Sequence, residues 1–144
     1  ADERSYDMAL CVFTVVTYLL DEQSLLKSLK AAHSSLRVDG LLLIDVPSKA
    51  VFRSYTASSE MIERRVSVTR QQGDVYLYRE RLQVRASDKS ITNYDEEFPI
   101  RYWQVETVMS ALHSVGFAVQ EDLSGYFCDT GSKYYLLRKI NQRS

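Results

Sequence analysis

The chain has 144 residues, 45% of them hydrophobic and 26% charged, and a net charge of −1. That is the composition of one folded domain, not of a disordered tail, and it supplies no basic field to draw in nucleic acid or a membrane surface. The five glycines, Gly40, Gly73, Gly116, Gly125 and Gly131, are never closer than six positions, so these residues hold neither a G-x-G-x-x-G turn nor a P-loop. Two histidines, His33 and His113, cannot form an H-E-x-x-H site, and two distant cysteines cannot form a zinc knuckle.

Met8 to Phe13 reads M-A-L-C-V-F, a continuous apolar run that predicts a strand buried on both faces. Asp21 offers an N-cap, and Leu25, Leu29, Ala32 and Leu36 follow at helical spacing, with Lys27, Lys30 and His33 on the wet side. Asp39-Gly40 supplies a turn, because both residues tolerate positive φ. Leu41 to Val46 reads as a second buried strand, stopped by Pro47. Strand, helix and strand with short connections predict a βαβ unit, whose strands are parallel and whose crossover is right-handed.

Beyond Pro47 the pattern changes. Ser48 to Tyr55 reads as one or two helical turns. Met61 to Trp103 alternates polar residues with branched and aromatic ones, and Gln72-Gly73-Asp74 and Ser87-Asp88-Lys89 are turn signals. This predicts three antiparallel strands with an aliphatic and aromatic face. The other face carries Glu63, Arg65, Arg79, Arg81 and Arg85, with the Arg79, Arg81, Arg85 stripe facing solvent and pairing with Glu63 or Glu80 across strands. Val105, Val108, Met109 and Leu112 mark a second amphipathic helix closed by Gly116. Strands over Phe117 to Leu123 and Tyr134 to Ile140, with a polar loop between, predict a closing antiparallel pair.

Cys11 lies in an apolar run and Cys128 in a polar loop. No disulfide framework is visible, which points to a reducing cytosol, and no apolar run is long enough to span a bilayer. Ala1-Asp2-Glu3-Arg4 contains no initiator methionine and leads almost at once into a strand, the pattern expected of a piece of a longer protein.

This order resembles the C-terminal half of a class I S-adenosylmethionine-dependent methyltransferase, of the small-molecule type with a β lid insertion. Tyr6-Asp7-Met8-Ala9-Leu10-Cys11 resembles the family's entry to its fourth strand. Tyr18-Leu19-Leu20-Asp21 resembles the descent into the next helix. Leu36 to Asp45 resembles its "L-K-P-G-G" turn and fifth strand, with Val38 in place of the proline and Asp39 in place of the first glycine. Phe98 to Trp103 through Gly116-Phe117, and Tyr134 to Lys139, resemble the closing segments. The resemblance implies an α/β fold: a partial Rossmann-like sheet, a parallel βαβ plus a closing antiparallel pair, with an inserted antiparallel β lid. It implies one domain over 1–144 with the lid at 61–94. The family's glycine-rich cofactor loop and the acidic residue ending its second strand have no counterpart here.

The resemblance also implies S-adenosylmethionine as the cofactor of the parent protein, with binding by this chain alone weak or absent. In open α/β sheets ligands sit beyond the carboxyl ends of the strands. The Cys11 and Val12 backbone and the Phe13 ring are therefore the cofactor candidates; as an alternative, all three are core. Tyr18, Tyr55 and Arg101 are candidates for binding a small-molecule methyl acceptor, against ordinary packing for the tyrosines and a surface position for the arginine. Asp45 either accepts a substrate proton or caps the Ser48 segment. No residue is singled out as catalytic, and no metal, nucleic acid or membrane is implied. In the family's sheet order the first strand lies beside the fourth, here Met8 to Val12. Without that neighbour this run is an open edge and predicts self-association. The alternative reading is a non-catalytic methyltransferase-like binding or interaction module.

Overall fold

The computed structural model describes residues 6–140; the Ala1–Arg4 start lies outside them. The chain divides into two compact units, Ala1–Val51 with Trp103–Ser144, and Phe52–Tyr102.

In the first unit, β1 (Tyr6–Cys11), α1 (Glu22–Ser35) and β2 (Leu36–Pro47) form the βαβ, and β1 pairs with β2 in parallel. After α2 (Val105–Val115), β7 (Phe117–Asp122) and β8 (Ser132–Lys139) close the sheet in the order β1-β2-β8-β7, with both β2–β8 and β7–β8 antiparallel. The last strand thus lies inside the sheet and β7 at its far edge.

Helix α1 starts where Asp21 accepts a hydrogen bond from Ser24 N at 2.6 Å. Its Leu25 and Leu29, one turn apart, are buried with Leu36, Leu42, Ile44, Val46, Trp103, Val108, Leu112, Phe117 and Leu137 in one core. Each such side chain contributes about 1.5–3 kcal/mol by leaving water. The α1 C-terminus is closed by the buried Lys139, whose ammonium donates to His33 O and Leu36 O, both at 2.7 Å. The turn expected at Asp39-Gly40 is instead an irregularity inside β2, where the pairing with β1 shifts register, and its two residues have separate tasks. Asp39 takes the left-handed conformation (φ 61°), while a Cβ on Gly40 would lie 2.9 Å from Arg37 O. Aspartate thus supplies the positive φ and glycine the close approach.

Two expectations are corrected here. β1 is buried on one face only: Ala9 and Cys11 pack on the core, whereas Tyr6, Met8 and Leu10 on the opposite face are exposed, because no described element packs over that face. His33 is not on the wet face of α1. Its ring stands edge-on to Phe117 at 5.2 Å and against Gly116, whose φ of 110° ends α2.

The second unit is one antiparallel sheet in sequence order, β3 (Tyr55–Ser58), β4 (Ile62–Gln72), β5 (Val75–Arg85) and β6 (Ile91–Arg101). It has four strands rather than three, because Tyr55–Ser58 pairs with Glu63–Val66. The register places Val66, Val68, Tyr76, Tyr78, Phe98 and Ile100 on one face. Phe98 stacks on Tyr78 at 4.8 Å, and Phe52 lies 5.1 Å from Tyr76. On the other face Arg79 pairs with Glu97 and Arg81 with Asp95. Arg79 and Arg81 therefore reach β6 acids, not Glu63 or Glu80, because the β5–β6 register sets them directly opposite.

Candidate functional site

The parallel strands of the first unit end together at Cys11 and at Asp45 to Pro47. Beyond Cys11 the backbone turns through two consecutive left-handed residues, Phe13 (φ 62°) and Thr14 (φ 65°). Aromatic and β-branched residues rarely adopt this region. The turn is anchored on both sides. Thr14 O accepts from Thr17 N at 2.9 Å and Thr17 Oγ1 at 2.7 Å, opening a 3-10 turn over Val15–Tyr18 whose Val16 and Thr17 are buried. Thr14 N donates to both oxygens of Asp45, at 3.1 and 3.2 Å.

Asp45 is 1% exposed. Burial raises its carboxyl above the ordinary carboxylate value, opposed by the Thr14 N–H and the Ser132 hydroxyl. The cap expected from Asp45 onto the Ser48 segment is corrected: Ser48 N donates instead to Gly131 O at 2.9 Å. Cys11, the last residue of β1, has its thiol pushed up to about 11, first by burial and then by the charge of Asp45. It is therefore a protonated packing group at neutral pH. Val12 is half-buried, while the Phe13 ring is 83% exposed and Tyr18 is 53% exposed. Of the sequence candidates, the structure thus gathers Cys11, Val12, Phe13 and Tyr18 on one connection at the carboxyl end of β1. Sequence reasoning missed Thr14 and Ser132, whose roles both come from Asp45 on β2, 31 positions from Thr14 and on the strand next to Ser132's.

Tyr55 and Arg101 belong to the second unit and stand on its opposite edge strands, β3 and β6. Three strand spacings separate those edges, about 14 Å, so the sheet does not bring the two side chains together. Arg64 lies over the Tyr55 ring at 5.5 Å from its centroid. Arg64 also pairs with Glu80 and donates to the Tyr78 hydroxyl at 3.2 Å, while Tyr78 donates to Glu80 at 2.9 Å. A hollow of about 250 Å³ lined by Glu80, Leu82, Tyr94 and Glu96 opens beside this cluster.

No protein-family model matches the chain, and no curated protein matches it. Solved structures do. An S-adenosylmethionine-dependent methyltransferase from Clostridium acetobutylicum superposes with a TM-score of 0.82 at 18% identity, covering 96% of this chain and 60% of its own. CalS10 from Micromonospora echinaspora, an amino pentose methyltransferase of calicheamicin biosynthesis solved with S-adenosylmethionine bound, matches with a TM-score of 0.69 at 19% identity, covering 97% of this chain and 63% of its own. The sugar N-methyltransferase KedS8 from Streptoalloteichus matches with a TM-score of 0.70 at 18% identity, over 98% of this chain and 61% of its own. The chain thus spans about three-fifths of the length of these structures, and over that span it has the α/β fold of S-adenosylmethionine-dependent methyltransferases.

Proposed function

We propose that the chain is part of an S-adenosylmethionine-dependent methyltransferase that acts on a small molecule. The observation that supports this is the superposition of nearly the whole chain on methyltransferases. In this reading the chain carries the acceptor side of the enzyme, and the antiparallel sheet serves as a lid. The lid expected at 61–94 lies within the antiparallel sheet Tyr55–Arg101, and we assign the lid role to that whole sheet. When bound, the cofactor supplies an electrophilic methyl group on a sulfonium. The connection after β1 fits that end of it in kind. The Phe13 ring offers a cation–π face, and the backbone of Cys11 and Val12 lines the approach. Tyr18 meets the acceptor beside Phe13, and Tyr55 and Arg101 are the sheet's candidates for acceptor contact. Methyl transfer asks these groups mainly to align an acceptor with the methyl carbon. Two of the superposed structures are sugar methyltransferases, so an amino sugar is the first acceptor to test.

The 144 residues contain no glycine-rich turn to let backbone approach the cofactor closely. Calorimetric titration of S-adenosylmethionine into this chain should therefore show no binding tighter than about millimolar, roughly −4 kcal/mol. Tight one-to-one binding would place the cofactor site elsewhere. The complete encoded protein, given methyl-labelled S-adenosylmethionine and amino sugars, should transfer label to the acceptor. Cofactor binding without transfer to any small molecule would favour a non-catalytic binding module. The reading also places the protein in the cytosol, where the thiols Cys11 and Cys128 stay free. It assigns the open β1 edge to self-association of the isolated chain.

A further inference from the structure

We infer that Asp45 is a positioning residue for Phe13: its buried carboxylate, oriented by the Ser132 hydroxyl, holds the left-handed Phe13–Thr14 turn that carries the Phe13 ring outward at the ligand end of the sheet. The inference rests on the proposed ligand-facing role of Phe13.

Three observations converge on it. First, the turn is locally unfavourable. Asp39 and Lys89 are the other non-glycine residues with positive φ among those described, and each stands alone. Phe13 and Thr14 are consecutive; one is aromatic and the other β-branched, and neither is the asparagine or aspartate that tolerates this region. Such a conformation persists only where surroundings over-determine it. Second, the surroundings that do so are identified. Both Asp45 oxygens lie within hydrogen-bond distance of Thr14 N, and Ser132 reaches the same carboxylate from β8. A buried carboxylate is itself unfavourable unless donors of this kind meet it. Third, the strain does not serve the core. Val16 and Thr17 are buried just beyond the turn, yet the ring of Phe13 is 83% exposed. A large ring held in solvent by a strained backbone gains nothing from folding, so its ordering serves contact with a molecule from outside the chain.

The test is nuclear magnetic resonance on the intact chain, reading the exchange rate of the Thr14 amide and the backbone shifts of Phe13 and Thr14, which report a left-handed φ. Asp45→Ala should speed Thr14 exchange at least about tenfold, since it removes hydrogen bonds to a charged group, and should lose the left-handed shifts. Asp45→Asn retains an acceptor and should keep most of both. Adding Thr14→Gly to Asp45→Ala should restore the left-handed backbone at position 14, because glycine enters this region without a carboxylate to hold it. A role in packing alone predicts no glycine rescue. Ser132→Ala should move the same signals in the same direction by less, and it serves as the readout if Asp45→Ala does not fold. Unchanged Thr14 signals in Asp45→Ala, or in Ser132→Ala where that variant stands in, or no rescue by Thr14→Gly, would overturn the inference. In the complete encoded protein, millimolar S-adenosylhomocysteine should shift the Phe13 ring resonances. A silent ring with a responsive Thr14 would overturn the ligand-facing role of Phe13, and so tells that failure apart from a failure of the turn.

Discussion

The ammonium of Lys139 donates to the backbone carbonyl of Leu36 at 2.7 Å, in a position where the lysine is 2% exposed. Together with the bond to His33 O it satisfies carbonyls that the end of α1 leaves without helical partners, and it sets a cation at the negative end of the helix dipole. Lys139→Met keeps the aliphatic stem and removes both bonds. The expected cost is about 2–4 kcal/mol, read as a lower urea midpoint at unchanged m. A midpoint equal to that of the parent chain would mean that water replaces the ammonium.

Gly116→Ala tests the contact between the two helices' ends. The substitution forces a Cβ into φ 110° and within 2.8 Å of His33 Nε2. A loss of about 1–3 kcal/mol is expected. His33→Ala in the same chain should relieve the collision but not the backbone strain, so the double variant should be more stable than additivity allows. Strict additivity would show that the histidine ring moves aside without cost.

The two thiols should behave differently. Cys128 is exposed and should react with a thiol reagent first, while Cys11 should react slowly. Burial raises the Cys11 thiol from 9.0 to about 11, so the folded chain holds that proton more tightly than the unfolded chain does. Stability should therefore fall as pH rises from about 9 towards 11. Cys11→Ala should flatten that part of the profile; an unchanged alkaline slope would mean that the thiol ionises as freely in the folded chain.

Glu80 titrates in the opposite sense. Burial alone would raise its carboxyl, but hydrogen bonds from Arg64 and Tyr78 outweigh burial and hold it below its ordinary value of 4.5. Its contribution is present above that ordinary value and is lost as pH falls through the lowered one. Glu80→Gln should cost about 1 kcal/mol at neutral pH, given the partial exposure of Arg64. It should also weaken the acid dependence of unfolding. Equal acid profiles in the two chains would count against the cluster.

Leu10 points outward from the edge strand at 64% exposure. If that edge mediates self-association, light scattering at micromolar concentration should show a dimer or larger species, and Leu10→Lys should shift it towards monomer. A monomer with β1 ordered would mean that the edge is protected by other means.

The parts of this fold legible in the sequence are those written in local chemistry. The α1 face, the Asp21 cap, the parallel pair and the glycine ending α2 all follow from spacing and residue type. β3 was hidden because Tyr55-Thr56-Ala57-Ser58 is short, has no buried residue and is flanked by serines, so no alternation marks it. The partners of Arg79 and Arg81 depend on the β5–β6 register, which the turn at Lys89 (φ 67°) helps to set and composition does not reveal. At the candidate site, Phe13 and Tyr18 were visible as aromatics after a buried strand. The left-handed turn between them was not, since it requires a carboxylate on another strand.

The placement of β8 between β2 and β7 has a consequence in time. β1, α1 and β2 leave the ribosome ahead of the β3–β6 hairpins, which can form by local pairing soon after. β2 nevertheless waits for a partner beyond the whole inserted unit, and pairing at that separation is slow, although the entropy of closing so long a loop grows only logarithmically. The same late strand carries Leu137 into the core, Lys139 to the end of α1 and Ser132 to Asp45. A nascent chain halted before Ser132 should thus hold a loose α1 and a Phe13–Thr14 turn that lacks Ser132 behind Asp45, and docking of one strand should bring both to their final form in a single step.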